Sequence, residues 1–314
     1  MQKTHEIKSI VSPKPLPSQT LFSFSPLSLE RVPKGRERFG EGLGVRSMFH
    51  RQLHDSQLAK NNYEALKTCR KKTFDFDLFH INVHFNPARA VSSLAKLDKK
   101  TIEARPCFLC ATNRPKEQEK LDFKGKYEIL VNPFPICPIH FTIASYTHEP
   151  QLIAGKLDDM LDLSQALPDF AILYNGAKAG ASAPDHFHFQ AVNLDFFSEP
   201  IEKPMKGLIG KISFHSSKKE DVINWFESIY EKLKTDEDEP MMNIFCQYKS
   251  NEWILTIFPR KRHRPAQFFA EGSEQIMISP GAIDMTGNII TAREIDFEKI
   301  TKEVLVDVFE QISE

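Results

Sequence analysis

A run of twenty residues without Asp, Glu, Lys or Arg, Ile129 to His148, constrains the fold more than any other feature. Its length matches a membrane-spanning helix. However, Pro133, Pro135 and Pro138 lie inside the run and forbid a continuous helix. A single extended segment cannot satisfy its backbone hydrogen bonds in lipid. The run therefore predicts buried strand and turn in a protein without a membrane association, which we expect to be cytoplasmic.

Composition divides the chain into three parts. Residues 1–47 are rich in Pro, Ser, Gly and Arg and lack any regular hydrophobic period, so we expect a disordered extension. One hypothesis is that Met48 is the native start and that this extension is not native. The remainder is expected to form a first domain over residues 48–204 and a second over residues 205–314. The net charge of −1 argues against a nucleic-acid partner.

Hydrophobic patterning predicts an α+β protein with antiparallel sheets flanked by helices. The predicted helices cover residues 50–72, 149–167, 222–233 and 297–312. The predicted strands cover residues 74–85, 127–131, 141–144, 170–174, 186–192, 243–248, 252–258, 275–283 and 288–291. The predicted helices and strands after residue 205 follow an order similar to that of the elements in the first part. The two parts show no detectable sequence repeat.

The strongest chemical signal is the segment His186-Phe187-His188-Phe189-Gln190. On a strand, alternate residues share a face, so the two His and Gln190 are expected to project together while the two Phe enter the core. Polar side chains in such a row are costly to bury without a function. The alternative is an amphipathic edge strand whose His are exposed to solvent.

The loop of small residues before this strand, residues 175–185, is suited to a phosphate. Small residues such as Gly180 let backbone N–H groups approach an anion closely. Ser182 adds a hydroxyl donor, and Asn175 adds an amide. Small-residue turns are common, so this signal gains weight only from the His strand that follows it.

Cys107 and Cys110 form a Cys-x-x-Cys pair that suits two thiolates on one zinc ion. The chain contains no second such pair, so His140, His148 and His186 are the candidate partners. A thioredoxin-like redox pair and two unligated core cysteines are the alternatives. The total of five Cys argues against a disulfide framework.

These segments together resemble the histidine-triad superfamily, in the branch of galactose-1-phosphate uridylyltransferase, diadenosine tetraphosphate (Ap4A) phosphorylase and GDP-L-galactose phosphorylase. The resemblance is carried by segments 107–111, 132–135, 140–148 and 175–191, and extends more weakly over 243–291. It implies two halves with the histidine-triad fold, of which the first is active. The motif His-Phe-His-Phe-Gln-Ala is most similar to the GDP-hexose phosphorylases.

The resemblance implies roles for individual residues. His188 matches the nucleophile that takes up a nucleotidyl group, and Gln190 stands where hydrolases carry a third His, which implies transfer to phosphate or a sugar phosphate. Cys107, Cys110, His148 and His186 match the ligands of a structural zinc, although His140 stays open as a replacement ligand. Asn132 and Phe134 resemble residues of the base pocket, but turn formation explains them almost as well.

Two further segments have a functional and a simpler interpretation. Arg89 could reach a phosphate, although a surface Arg is the simpler interpretation. The basic run Arg260–Arg264 could meet an anionic substrate, but a solvated cluster is favoured. The acidic stretch Asp236–Glu239 is expected to be a solvated turn.

The resulting functional prediction is a nucleotidyltransferase that cleaves a nucleoside diphosphate hexose, with GDP-hexose favoured, by inorganic phosphate through a nucleotidyl-histidine intermediate. Ap4A phosphorylase, a nucleotide hydrolase and an inactive nucleotide-binding protein are the alternatives. The expected partners are a nucleotide sugar or a dinucleoside polyphosphate, and phosphate, with a homodimer as one option. Structural zinc is the only cofactor expected.

Overall fold

The computed structural model describes residues 20–21, 44–93 and 97–314. The helices of this part of the chain are α1 (Val45–Asp55), α2 (Gln57–Leu66), α3 (Ala90–Ser93), α4 (Lys99–Ala104), α5 (Leu157–Ala166), α6 (Lys219–Leu233), α7 (Ala266–Phe269), α8 (Glu294–Lys299) and α9 (Lys302–Ile312). Its strands are β1 (Thr20–Leu21), β2 (Arg70–Asp75), β3 (His80–Phe85), β4 (Lys120–Phe123), β5 (Tyr127–Val131), β6 (His140–Ser145), β7 (Phe170–Asn175), β8 (His188–Asn193), β9 (Ile212–Ser216), β10 (Met242–Lys249), β11 (Glu252–Pro259) and β12 (Asn288–Thr291).

One antiparallel sheet of eight strands runs through the molecule in the order β4-β5-β6-β8-β7-β10-β11-β9. Strands β7 and β10 pair with Asn175 opposite Asn243, which joins strands from both sides of the expected boundary at residues 204/205. The predicted α+β fold is confirmed, and hydrogen bonds cross that boundary. The division into two domains stays a prediction.

A second sheet has the order β1-β2-β3-β12. Its β3 and β12 strands run parallel, with Asn82 opposite Asn288, and are far apart in sequence. This pair departs from the antiparallel pairing expected throughout, because a strand after residue 205 returns to lie beside an early hairpin.

The eight-stranded sheet separates two hydrophobic cores. Phe187 and Phe189 of the β8 region pack into the first core together with α1, α2, α5 and α6. Val192 packs into the second core with α9. His188 and Gln190 alternate with the two Phe and so share the face of Val192. The expected orientation of the Phe side chains is therefore confirmed.

Several predicted elements are shorter or divided. The helix expected over 50–72 breaks at Ser56, whose hydroxyl accepts the backbone N–H of Ala59 and caps α2. The strand expected over 74–85 is a hairpin, because its residues divide between β2 and β3. The C-terminal helix breaks before Thr301, which caps α9. Only 157–166 of the helix expected over 149–167 is α-helical, and 275–283 forms no strand.

Two expectations concern the N-terminal part and the membrane. Residues 45–47 belong to α1, with Val45 buried, whereas the sequence predicted disorder up to residue 47. Within residues 1–43, only Thr20 and Leu21 of β1 are described. The disorder expected for the other residues of this segment lies outside the described part of the chain. No helix among the described residues is long and apolar enough to cross a bilayer. The charge-free run 129–148 instead supplies parts of β5 and β6 and the turn between them.

Candidate active site and metal centre

Cys107, Cys110, His148 and His186 come together from three separate segments. One potential ligand atom of each lies within 4.8 Å of those of the other three. Cys107 Sγ is 3.3 Å from His186 Nδ1, and Cys110 Sγ is 3.3 Å from His148 Nδ1. This group could bind a metal ion. His140 lies outside it and bonds Gln190 instead.

The donor chemistry of the group fits zinc. His186 Nε2 donates a hydrogen bond to the Ser145 carbonyl over 2.9 Å, which leaves the lone pair of Nδ1 facing the two thiols. Burial alone raises the pKa of Cys107, but its interaction with His186 and hydrogen bonds from the backbone lower it to about 6. Two thiolates and two imidazoles are a usual tetrahedral set for structural zinc.

His188, the predicted nucleophile, is buried and held in one orientation. Its Nδ1 donates to the carbonyl of His186 over 2.9 Å, so that Nε2 retains the lone pair. Burial lowers the pKa of its imidazolium to about 4, despite that hydrogen bond, so the ring is neutral at pH 7. β8 begins at His188, so His186 lies in the preceding loop and is not the first strand residue that the sequence predicted.

Gln151 was not predicted from the sequence, although it contacts the predicted nucleophile directly. Its Oε1 accepts the backbone N–H of His188, and its Nε2 donates to the carbonyls of His188 and Asn175. It is fully buried and ties the start of β8 to the end of β7. A lone Gln before a helix carries no sequence signal for this role, because the partners are backbone atoms distant in sequence.

Gln190 is oriented by His140, which the sequence had left open as a replacement zinc ligand. His140 Nε2 donates to Gln190 Oε1 over 2.7 Å, while His140 Nδ1 accepts the N–H of Ile136. Burial is the larger cause and the positive charge of Arg89 the smaller one that together lower the pKa of His140 to about 3, so the ring stays neutral. With its oxygen occupied, the amide of Gln190 can present N–H groups to the cleft that it lines.

That cleft, called here the inner cleft, brings together five of the predicted substrate and catalytic residues around a space that, with the open solvent at its mouth, is about 630 Å³. These five are Arg89, Asn175, Gly180, Ser182 and Gln190. The sequence did not predict its other wall, which residues 279–284 form together with His263 and Arg264. His188 is not among the described residues that line the inner cleft. It lies on the same face of the sheet as Gln190, two residues earlier in the chain.

The small-residue loop packs tightly against this wall. Gly180 has a φ of 103°, and a Cβ there would lie 2.6 Å from the Cα of Gly281. Asn175 Oδ1 accepts from Asn243 Nδ2 and from the N–H of Ala282, which joins β7, β10 and the wall. Backbone N–H groups of Ala179 and Ala181 bond the Gly176 carbonyl and are not available to a phosphate.

Asn132, Phe134 and Arg89 form a connected turn. Asn132 Oδ1 accepts the N–H of Phe134, and its Nδ2 donates to Thr142 Oγ1. Arg89 donates to the carbonyl of Phe134, and burial lowers the pKa of its guanidinium to about 10. Of the three, only Arg89 lines the inner cleft. Base binding by Asn132 and Phe134 stays a prediction.

The sequence predicted that the basic run Arg260–Arg264 and the acidic stretch Asp236–Glu239 are solvated, but each contains a buried residue. Arg260 is buried, and its guanidinium donates to Asn243 Oδ1 and to carbonyls that include Pro280. Glu239 is also buried and accepts the N–H of Ile153 and the hydroxyl of Tyr174. The solvated interpretation was wrong for these two residues, because each satisfies backbone groups of other segments.

The order of the strands in the large sheet belongs to a fold that this chain shares with solved structures of an Ap4A phosphorylase. Residues 48–193 match a family model described as a domain of unknown function (DUF4922). No curated protein matches the chain in sequence.

Solved structures of yeast Ap4A phosphorylase Apa2 share the fold over most of both chains. The complex with Ap4A has a TM-score of 0.58 at 16% identity and covers 86% of this chain and 97% of Apa2. The complex with AMP has a TM-score of 0.57 at 17% identity and covers 85% and 95%. A third Apa2 crystal structure has a TM-score of 0.52 at 17% identity and covers 81% and 96%.

Proposed function

We propose that this protein is a nucleotidyltransferase of the phosphorylase type, with His188 as its nucleophile. The observation that carries the proposal is the hydrogen bond from His188 Nδ1 to the carbonyl of His186, on the strand whose Gln190 lines the inner cleft. It holds the imidazole as the tautomer whose Nε2 can attack. The shared fold with Ap4A phosphorylase supports the same class of reaction.

In the first half-reaction, His188 Nε2 attacks the α-phosphorus of the donor. The Nε2–phosphorus bond forms while the bond from phosphorus to the bridging oxygen breaks, and its electron pair leaves with the departing group. The proton on Nδ1 stays in place, because the carbonyl of His186 accepts its hydrogen bond and stabilises the positive ring. Attack and departure are in line.

In the second half-reaction, an oxygen of inorganic phosphate attacks the same phosphorus and the electron pair of the P–N bond returns to Nε2. The product is a nucleoside diphosphate. Gln190 supports phosphate as the acceptor, because its amide can hold a phosphoryl oxygen but cannot relay a proton from water. Arg89 and Arg264, which both line the inner cleft, add positive charge.

Zinc would be held by Cys107, Cys110, His148 and His186, which supply four ligands and leave no open position. Its contribution would be structural: it would fix the loop that contains His186 and precedes β8. The carbonyl of this same residue orients His188, so the ligand set and the nucleophile are connected through one backbone unit.

Two donor classes fit the proposal. The HFHFQA motif favours a GDP-hexose, whereas the shared fold favours Ap4A, which Apa2 binds in one of its crystal structures. Both donors carry a nucleoside monophosphate on a phosphate leaving group, so the inner cleft serves either in the same way.

The test is a panel of GDP-hexoses, UDP-hexoses, ADP-glucose and Ap4A, incubated with and without inorganic phosphate. The proposal predicts a nucleoside diphosphate that forms only when phosphate is present, and no turnover by His188→Ala. Nucleoside monophosphate formed equally without phosphate would identify a hydrolase instead. Binding without turnover of any donor would identify a nucleotide-binding protein.

A further inference from the structure

A second, wider cleft opens beyond the inner cleft and is called here the outer cleft. Leu97, His263 and Arg264 line both clefts, whereas Asp98, Arg262 and Phe269 line only the outer one. Gln190 and Ser182 line only the inner one. The outer cleft is therefore the continuation of the proposed active site on the side away from β8. Its volume is about 660 Å³, which lies within the range of typical ligand pockets.

The outer cleft presents an aromatic ring to solvent. Phe269, at the end of α7, is 70% exposed, which is the highest exposure among the large hydrophobic side chains of the described residues. Its neighbour Phe268 is engaged differently, since the guanidinium of Arg264 lies over its ring at 4.0 Å. An exposed ring beside cationic groups is typical of sites that stack a base next to a phosphate chain.

Positive charge dominates the outer cleft. Arg264 is held in position by a hydrogen bond from its Nε to Ser279 Oγ. Arg262 is exposed. The acidic member, Asp98, accepts the N–H and the hydroxyl of Thr101 as the cap of α4, so its charge is partly engaged. His263 bonds Ser279 Oγ.

We infer that the outer cleft binds the departing part of the substrate, and that this part is a second nucleotide whose base stacks on Phe269 and whose phosphates meet Arg262 and Arg264. The inference rests on the proposed function. In-line attack from β8 requires the leaving group to extend away from that strand, and no residue of β8 lines the outer cleft. A hexose phosphate has no aromatic ring for Phe269, so this feature favours a dinucleoside polyphosphate as the donor.

The kinetic test compares Phe269→Ala with wild type on two donors, Ap4A and a GDP-hexose. Loss of one stacked base lowers kcat/KM for Ap4A by about tenfold, while the value for the GDP-hexose stays within about twofold. Leu78→Ala, which removes a similarly exposed side chain from the other sheet region, is the control and changes neither. An equal loss on both donors, or no loss on Ap4A, would overturn the inference.

A binding test separates this inference from the proposed function. A methylene-bridged, uncleavable analogue of Ap4A and AMP are titrated calorimetrically into the full chain. Phe269→Ala weakens binding of the analogue by about tenfold and leaves AMP unchanged. This result would hold even if no donor were turned over. Equal affinity of wild type and variant for the analogue would reject the outer cleft as a base site, whatever the catalytic result.

Discussion

The side-chain amide of Gln151 bonds both backbone polar groups of His188, with Oε1 2.8 Å from its N and Nε2 2.9 Å from its O. The same Nε2 donates to the carbonyl of Asn175. One buried amide therefore takes the place of β7 on one side of His188, while Ala144 of β6 pairs with His188 on the other side. It fixes where the predicted nucleophile sits relative to the small-residue loop.

Gln151→Leu should weaken both the fold and the reaction. It leaves a buried N–H and two carbonyls without partners, which costs roughly 2–4 kcal/mol of unfolding free energy. Displacement of His188 should lower kcat on the order of 10²-fold, with a smaller change in nucleotide affinity. Urea denaturation and steady-state kinetics check both effects. The exposed Gln57→Leu is the control, and a Gln151→Leu variant as stable as that control would contradict the assignment.

Gln190→His should redirect the intermediate from phosphate to water. An imidazole can relay a proton where the amide of Gln190 cannot, so hydrolysis should become detectable without phosphate. The ratio of nucleoside monophosphate to diphosphate, measured by chromatography, should rise by about tenfold or more. Gln247→His, a substitution on β10 outside the inner cleft, controls for the added imidazole. An unchanged product ratio would show that Gln190 does not control the acceptor.

Zinc should copurify at about one ion per chain, and Cys110→Ser should abolish this binding. Structural zinc contributes about 10–16 kcal/mol of binding free energy in small peptides, so the variant and a chelated wild type should both melt well below the holo protein. Cys69→Ser is the matched control, because its thiol lies outside the Cys/His group. Metal analysis and thermal melting suffice; full metal content in Cys110→Ser would remove the site.

Glu239 should make stability fall as the pH rises. Burial raises the pKa of its carboxyl to about 7, against the hydrogen bonds from Ile153 and Tyr174, which lower it. The folded state thus keeps a proton that the unfolded state releases near pH 4.3, and the unfolding free energy falls by up to about 1.4 kcal/mol per pH unit until about pH 7. When protonated, Glu239 can donate to the hydroxyl of Tyr174, which in turn donates to the Gln151 carbonyl.

Glu239→Gln preserves that donor, so it should match wild type near pH 5 and be more stable at pH 8. Denaturant midpoints at several pH values measure the difference. Glu237→Gln, at an exposed position of the same stretch, should follow wild type at every pH. Parallel pH profiles for Glu239→Gln and wild type would contradict the raised pKa.

The sequence predicted the parts of the site that depend on local spacing. The Cys-x-x-Cys pair, the alternation around His188 and the small-residue loop each carry a pattern within about ten residues. Alternation correctly assigned Phe187 and Phe189 to the core, and the lack of charge between 129 and 148 correctly indicated buried strands.

The unpredicted parts depend on contacts between distant segments. Gln151 bonds backbone atoms more than twenty residues away, and Arg260 does the same between β11 and the C-terminus. Such residues look like ordinary surface residues in sequence, because their partners are main-chain atoms without a residue type. For the same reason, no local pattern indicated that residues 279–284 form the second wall of the inner cleft.

Mass spectrometry of protein quenched during turnover without phosphate tests the central claim most directly. Each donor of the panel is mixed with wild type and with His188→Ala, and peptides are analysed under alkaline conditions that preserve phosphoramidates. We predict a nucleoside monophosphate adduct on His188 in wild type and none in the variant. An adduct on another residue, or wild-type turnover by His188→Ala, would contradict it.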